Sequence, residues 1–342
     1  MKSDVIVGLQ HGDEGKGKVV CALLKDNDYD YCLRFNGGPN AGHTIVRNSN
    51  KVVLHQIPCC ILNNITSVIG SGCVVDLEKL KAEIDLLHKL SIPVESLLKI
   101  SYNAHVIAKH HIQEDISNDP IGSTHSGIRP VNRDKYNRSG TRICDIDKKT
   151  LENYIGECSI VDPYKLFHEN IGKNKLKCMC EGAQGFELDI DYGSYPFVTS
   201  THTVTGFVNA SGVPTNTINK VYGISKIYAT YVGSMDFQPK DDKDLEKLGV
   251  LGEEFGSTTN RKRKINWLNL DRLRQAIIIN SVTDLIINKC DILEQLNVYT
   301  LLNNNQKISF DTFSEMKKYI TNNLKDITSL NNIIFSGNKE FI

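Results

Sequence analysis

A β-branched run, Val5-Ile6-Val7, passes directly into a segment with four glycines in ten residues, from Gly8 to Gly17. That juncture limits the fold more than any other stretch. The run suits a strand buried in a parallel sheet, and Val19 to Lys25 beyond the loop is compatible with a helix. Strand, glycine loop and helix together make the first unit of an α/β domain. From Gly12 the spacing Gly12-Asp13-Glu14-Gly15-Lys16-Gly17-Lys18 fits the phosphate-loop pattern G-x-x-x-x-G-K. In such loops glycines let backbone N–H groups turn onto a phosphate, and a lysine neutralises it. A standard loop continues with Ser or Thr, whose hydroxyl ligates Mg²⁺, but Val19 follows Lys18 and has no oxygen. Asp13, inside the loop, is the available hard-oxygen substitute. A glycine-rich turn with solvated charges is the plain alternative, and the two lysines between strand and helix speak against it.

Composition narrows the class. The 342 residues exceed what one core usually serves, so one large α/β domain with insertions and two tightly joined domains both fit. Apolar residues are 40%, and Lys+Arg and Asp+Glu are 40 each. No global field draws such a chain to nucleic acid or membrane, so an anionic ligand needs a local cluster. No apolar run approaches a membrane span and no signal peptide precedes the first strand, so a cytoplasmic location is expected. The ten cysteines never form C-x-x-C. They read as buried small hydrophobes, with Cys178 and Cys180 on one side of a strand.

The rest of the chain repeats one pattern: a strand, then a loop rich in chemistry. Tyr31 to Phe35 leads into Asn36-Gly37-Gly38-Pro39-Asn40-Ala41-Gly42-His43-Thr44, where glycines allow close approach and His43 suits catalysis or phosphate contact. Val52 to Ile61 and Val68 to Val75 read as strands, and Leu77 to Leu90 as a helix capped by Asp76. His110 and Glu114 at i, i+4 read as a solvated helical pair rather than metal ligands. Gly122 to Pro130 is a second Gly/Ser/Thr loop, backed by Arg133, Lys135, Arg138 and Arg142, and would suit a phosphomonoester. Cys178 to Glu181 delivers Glu181-Gly182-Ala183-Gln184-Gly185, and the Gly- and Thr-rich stretch to Thr201 suggests a loop around a polar ligand. Val221 to Val232 is strand-like. Ser257-Thr258-Thr259 precede Arg261-Lys262-Arg263-Lys264, a carboxylate or phosphate clamp with Arg261 and Arg263 on one side if extended. Leu285 to Ile287 ends in Asn288-Lys289-Cys290-Asp291, an N-K-x-D quartet resembling the guanine reader of GTP-binding proteins. Its carboxylate can accept from guanine N1–H and the exocyclic amine, a pair adenine lacks.

Taken in order, Gly12 to Lys18, Asn40-Ala41-Gly42-His43-Thr44, Glu181 to Gly185, Tyr195-Pro196-Phe197-Val198-Thr199-Ser200, Thr258 to Arg263 and Asn288 to Asp291 resemble the adenylosuccinate synthetase family over nearly the full length. The resemblance implies an α/β fold: a single large domain, residues 1–342, around a mainly parallel central β-sheet, with a P-loop-like nucleotide site and smaller subdomain insertions. It implies a C–N ligase that joins L-aspartate to IMP at the expense of GTP, through a 6-phosphoryl intermediate, with Mg²⁺ as cofactor. Asp13, His43, Lys16 and Gln184 would be catalytic, and Asp13 and the Gly42 carbonyl would hold metal. Asn40, Thr124, Arg138, Gln184, Thr199 and Arg261 would bind the nucleoside monophosphate, with Arg138 reaching across a homodimer. Gly12, Glu14, Gly15, Lys16, Gly17, Lys18, Thr44, Lys289, Asp291, Ser336 and Gly337 would bind GTP. Thr258, Thr259, Arg261 and Arg263 would bind aspartate.

The sequence departs from the family pattern at His11, where Trp is usual, and near Gly233-Ser234-Met235-Asp236-Phe237. Shorter gaps resemble the compact archaeal and viral branch. A viral relative joining aspartate to dGMP with ATP or dATP is the alternative; its loop Asp is replaced by Ser, and Asp13 argues against it. A non-catalytic GTP-binding switch would call for Ser or Thr after Lys18 and has no use for Gln184 to Thr201.

Overall fold

The computed structural model describes residues 1–26, 29–47, 50–169, 176–255 and 261–337. Its centre is a nine-stranded sheet in the order Asn332–Phe335, Asp284–Asn288, Ile218–Lys226, Lys2–Gly8, Lys177–Glu181, Tyr31–Arg34, Thr66–Ile69, Leu98–Ser101 and Ser159–Val161. Every neighbouring pair is parallel. Parallel strands must be covered on both faces, which is why Val5, Ile6, Val7, Ile224, Leu285, Ile286 and Ile287 are buried as near-continuous apolar runs. Two apolar cores, one on each side, share this sheet: Val5 and Val7 face one, Ile6 the other. A four-stranded sheet, Tyr228–Tyr231, Lys264–Asn269, Tyr299–Asn303 and Gln306–Phe310, packs beside it, and His43–Arg47 pairs antiparallel with Asn50–Leu54.

The strand Lys2–Gly8 lies in the middle of the sheet, between Lys177–Glu181 and Ile218–Lys226. Because all strands run the same way, the loops after Gly8, Arg34, Glu181, Lys226, Asn288 and Phe335 open at one edge. In open α/β sheets ligands bind outside that carboxyl edge. The helix Lys16–Asp26 starts on the glycine loop, and Leu77–Lys89 begins at Asp76, whose side chain accepts from the Lys79 N–H as its periodicity and cap predict.

Three strand expectations are corrected: Val221 to Val232 divides at Ile227 between strands of two different sheets, and two others stop early. Val52 to Ile61 ends as a strand at Leu54 and continues past Pro58 as a 3₁₀ turn, Cys59–Asn63. Proline has no N–H to give a ladder. Val68 to Val75 divides into Thr66–Ile69 and Val74–Val75, because Cys73 N donates to the Gly70 carbonyl in a turn at 3.1 Å.

Candidate active site

The phosphate loop is held from within. Glu14 is 1% exposed, and its Oε1 accepts from the N–H groups of Gln10 (3.1 Å) and Gly12 (2.8 Å). Its Oε2 accepts from Lys16 Nζ at 2.7 Å, and the same ammonium donates to the Gln184 carbonyl at 2.5 Å. Glu14 therefore shapes the loop from behind and fixes Lys16 against the next strand's loop. Asp13, Gln184 and Lys289 all have left-handed backbones, with φ of 59°, 57° and 66°. Non-glycine residues in that region concentrate where surrounding structure forces them, as at binding sites.

A cleft of about 520 Å³ opens over this loop. Of the residues singled out from sequence, Gly12 to Lys18, Asn40, Gly42, His43, Thr44, Thr124, Gln184, Arg263, Lys289, Asp291 and Gly337 line it. Ser336 is buried beside the cleft-lining Lys18, and its Oγ accepts from Lys18 Nζ at 3.1 Å. Lys18 Nζ also donates to Asn288 Oδ1 (3.3 Å), and Asn288 Nδ2 donates to the Glu14 carbonyl (2.7 Å). The asparagine of the N-K-x-D quartet thus ties the phosphate loop to the end of the strand that carries Asp291. Burial lowers the Lys18 pKa, with the neighbouring Asp291 opposing.

His43 is buried against the carboxylate of Glu181, with Arg34 Nη1 3.0 Å from both ring nitrogens. Glu181 Oε2 accepts from the Cys59 N–H at 2.8 Å. Burial first and Arg34 second bring the His43 pKa to about 4, against the opposite pull of Glu181, so the imidazole is neutral near pH 7. Gln184 Nε2 donates to Asn40 Oδ1 at 3.2 Å, and Asn36 braces the Gln184 loop, accepting from the Ala183 N–H at 2.7 Å.

Four residues named from sequence stand apart from the cleft lining. Arg138 is exposed at the end of the helix Ile128–Asn137. The Thr199 N–H donates to the Leu188 carbonyl at 2.8 Å. Arg261 Nη1 donates to the carbonyls of Gly122 and Ser123, both at 3.3 Å. Ser336 completes the set. Thr258 and Thr259 lie outside the described residues. Arg261 and Arg263 take different partners: Arg261 reaches the 122–123 loop, while Arg263 bonds Asp13 and Glu254. The expected 122–130 loop ends at Gly127, where the helix Ile128–Asn137 begins; behind it Arg133 pairs with Glu114 and Arg142 with Asp145, so these cations are spent on local carboxylates instead of converging on a phosphate. Glu114 consequently serves Arg133, not His110.

Sequence reasoning missed Arg34, Asn36, Lys226 and Glu254 as site residues, and read Asn288 only as part of the guanine-reading quartet. A signal existed in part. Arg34, Lys226 and Asn288 each close a strand of the parallel sheet, where a buried polar side chain needs a partner at the ligand edge.

The family model described as adenylosuccinate synthetase matches residues 5–158 and 150–322. The chain belongs to the adenylosuccinate synthetase family. The synthetase of Chlorobaculum parvum is 40% identical over 335 residues, covering 85% of this chain and 77% of that one. That of Bacteroides thetaiotaomicron is 39% identical, covering 86% and 79%. Among solved structures, the fully ligated adenylosuccinate synthetase from Plasmodium falciparum superposes with a TM-score of 0.83 at 28% identity, covering 97% of this chain and 96% of that one. A cyanophage S-2L succinoaminodeoxyadenylate synthetase, solved with dGMP and dATP as an energy donor, shares the fold: TM-score 0.74 at 21% identity, over 97% and 91% of the chains. As a synthetase of this family the chain is a ligase that forms a C–N bond. No helix among the described residues is long and apolar enough to cross a membrane.

Proposed function

We propose that the chain ligates L-aspartate to IMP at the expense of GTP, giving adenylosuccinate, GDP and phosphate. The observation that carries this reading is the carboxylate of Asp13 inside the phosphate loop, lining the same cleft as His43, Arg263 and Asp291. An ordinary GTP switch needs a hydroxyl at the loop's end; a ligase that activates a purine oxygen needs a base. Asp13 would take the proton from purine N1 as the 6-oxygen attacks the γ-phosphorus and the bond to GDP breaks. The amine of aspartate then adds at C6 and phosphate leaves. Lys16 and His43 would stabilise charge on the transferring phosphoryl group, and Gln184 would orient the purine beside Asn40.

Asn40, Thr124, Thr199 and Arg261 would hold the nucleoside monophosphate, joined by Arg138 of a neighbouring subunit in a homodimer. Gly12, Glu14, Gly15, Gly17, Lys18 and Thr44 would enclose the triphosphate, with Lys289, Asp291, Ser336 and Gly337 framing guanine. Thr258, Thr259, Arg261 and Arg263 would take the carboxylates of aspartate. The donor set suits Mg²⁺: Arg263 occupies Asp13 Oδ2 only, so Oδ1 has no partner among the described residues, and the Gly42 carbonyl lies on the same cleft. When bound, Mg²⁺ would lower the charge on the phosphates.

The test crosses IMP and dGMP with GTP and ATP in the presence of aspartate and records phosphate release. Turnover confined to IMP with GTP is expected. A preference for dGMP with ATP would move the chain to the phage-type reaction. Asp13→Ala is expected to abolish turnover while GTP binding persists; near-normal turnover in that variant would remove Asp13 as the base.

A further inference from the structure

The loop carboxylate is clamped by a chain of charges that runs from the buried Lys226 and Glu254 out to the cleft. Arg263 Nε donates to Asp13 Oδ2 at 2.8 Å, and Nη2 lies 2.7 Å from the same oxygen. The far side of that guanidinium is fixed as well, since Nη1 donates to Glu254 Oε2 at 2.5 Å. Glu254 is 1% exposed and both its oxygens accept: Tyr228 Oη donates to Oε1 at 2.6 Å, and Lys226 Nζ to Oε2 at 2.9 Å. Lys226, 2% exposed, also donates to Thr230 Oγ1 at 2.9 Å. The backbone repeats the link, because Arg263 N donates to the Glu254 carbonyl at 3.0 Å.

Two anions and two cations thus alternate from the sheet to the phosphate loop. Burying such a set is a poor route to stability, since well-packed apolar residues would serve as well. What the set does supply is direction. A guanidinium held at one end by a buried carboxylate presents its other edge at a fixed angle, and that edge meets Asp13.

We infer that Glu254 is a positioning residue for the ligation: it anchors Arg263, and Arg263 holds the Asp13 carboxylate where it meets the purine. Lys226 and Tyr228 keep Glu254 ionised and in place. The inference rests on the proposed role of Asp13 as base.

The test measures kcat, GTP affinity and the fraction of GTP-binding sites in wild type, in Glu254→Gln and in Glu254→Gln combined with Lys226→Met. Glu254→Gln keeps the side chain's shape but leaves Lys226 a buried, unpaired cation. The double variant removes that cation too, so that a folded protein without the anchor can be assayed. The expected result is a fall in kcat of about 100-fold per GTP-binding site, the cost of an ångström-scale misplacement, with GTP affinity unchanged. A purely structural role would lower the fraction of binding sites and leave kcat per site intact. A crystal structure of the double variant should show the Asp13 carboxylate displaced. Wild-type kcat per site in either folded variant overturns the positioning role and leaves the IMP reading standing. Absence of wild-type turnover with IMP overturns both.

Discussion

His11 shows most plainly what one residue does here. Its ring meets Tyr231 and Phe237 edge to face, with centroids 5.4 and 5.1 Å away, and neither ring nitrogen has a hydrogen-bond partner among the described residues. Burial, helped by the charge of Arg272, lowers its pKa to about 3. The folded protein therefore keeps this ring neutral while the unfolded chain protonates it below the ordinary value of about 6.5. The sign follows: stability is full above about pH 6.5 and is lost as pH falls toward about 3, at up to roughly 1.4 kcal/mol per pH unit. His11→Phe keeps the ring contacts and removes the proton site, so urea unfolding of the variant should lose less stability than wild type between pH 7 and pH 5. Glu14 is the opposite case, a buried carboxylate whose three donors define the loop. Glu14→Ala leaves Lys16 without its anion and should cost roughly 3–5 kcal/mol, checked by denaturant titration. Asp13, Lys16 and His43 were legible from their own loops. Glu254 was not, because its partner Asp13 is 241 positions away and only the fold brings Arg263 between them.

Elements place these residues by where they stop. Each central strand ends at one edge, and the turn that follows contributes a single chemical feature to the cleft. Those turns are packed tightly. A Cβ at Gly185 would sit 2.3 Å from the Gln10 carbonyl oxygen and 2.4 Å from Glu14 Oε1. Gly185→Ala must push the 181–185 loop away from the phosphate loop, so it should reduce nucleotide affinity and melting temperature together, as read by GTP titration and calorimetry. The helix Leu77–Lys89, remote from the cleft, behaves simply: Asp76→Ala removes its cap and should cost about 1 kcal/mol with kcat unchanged. Helices and central strands were readable because period and caps are local signals. The two expected strands that stopped early did so at Leu54, ahead of the 3₁₀ turn after Pro58, and at Ile69, ahead of the Gly70–Cys73 turn, where local geometry overrides an apolar run.

At the scale of the whole molecule the sheet order decides which loops meet. Lys2–Gly8, Lys177–Glu181 and Ile218–Lys226 are side by side although 168 residues lie between the first and the second. Burial also gathers charge: burial alone would raise the Glu254 pKa, but Lys226 and Arg263 carry it down to about 2. The stability this group contributes is present above its ordinary value of about 4.5 and is lost as pH falls toward about 2. Acid unfolding of Glu254→Gln should accordingly begin from a lower stability at pH 7 and fall less steeply below pH 4.5. The exposed Arg138 belongs to this scale as well. If a second copy uses it, specific activity should fall on dilution as mass measured by sedimentation halves, and Arg138→Ala should raise the KM for IMP without lowering the melting temperature.

The order of the motifs, the parallel α/β class and the chemistry of the phosphate loop were determined by the sequence alone. Each depends on neighbours within a dozen residues: β-branched runs, glycines at fixed spacing, a cap, a carboxylate where a hydroxyl is usual. Tertiary structure alone decided how those groups are held. The partners of Arg261 and Arg263, the seat of His43 on Glu181 and the relay behind Asp13 come from side chains whose charges must find partners once water is excluded, and those partners arrive from distant parts of the chain.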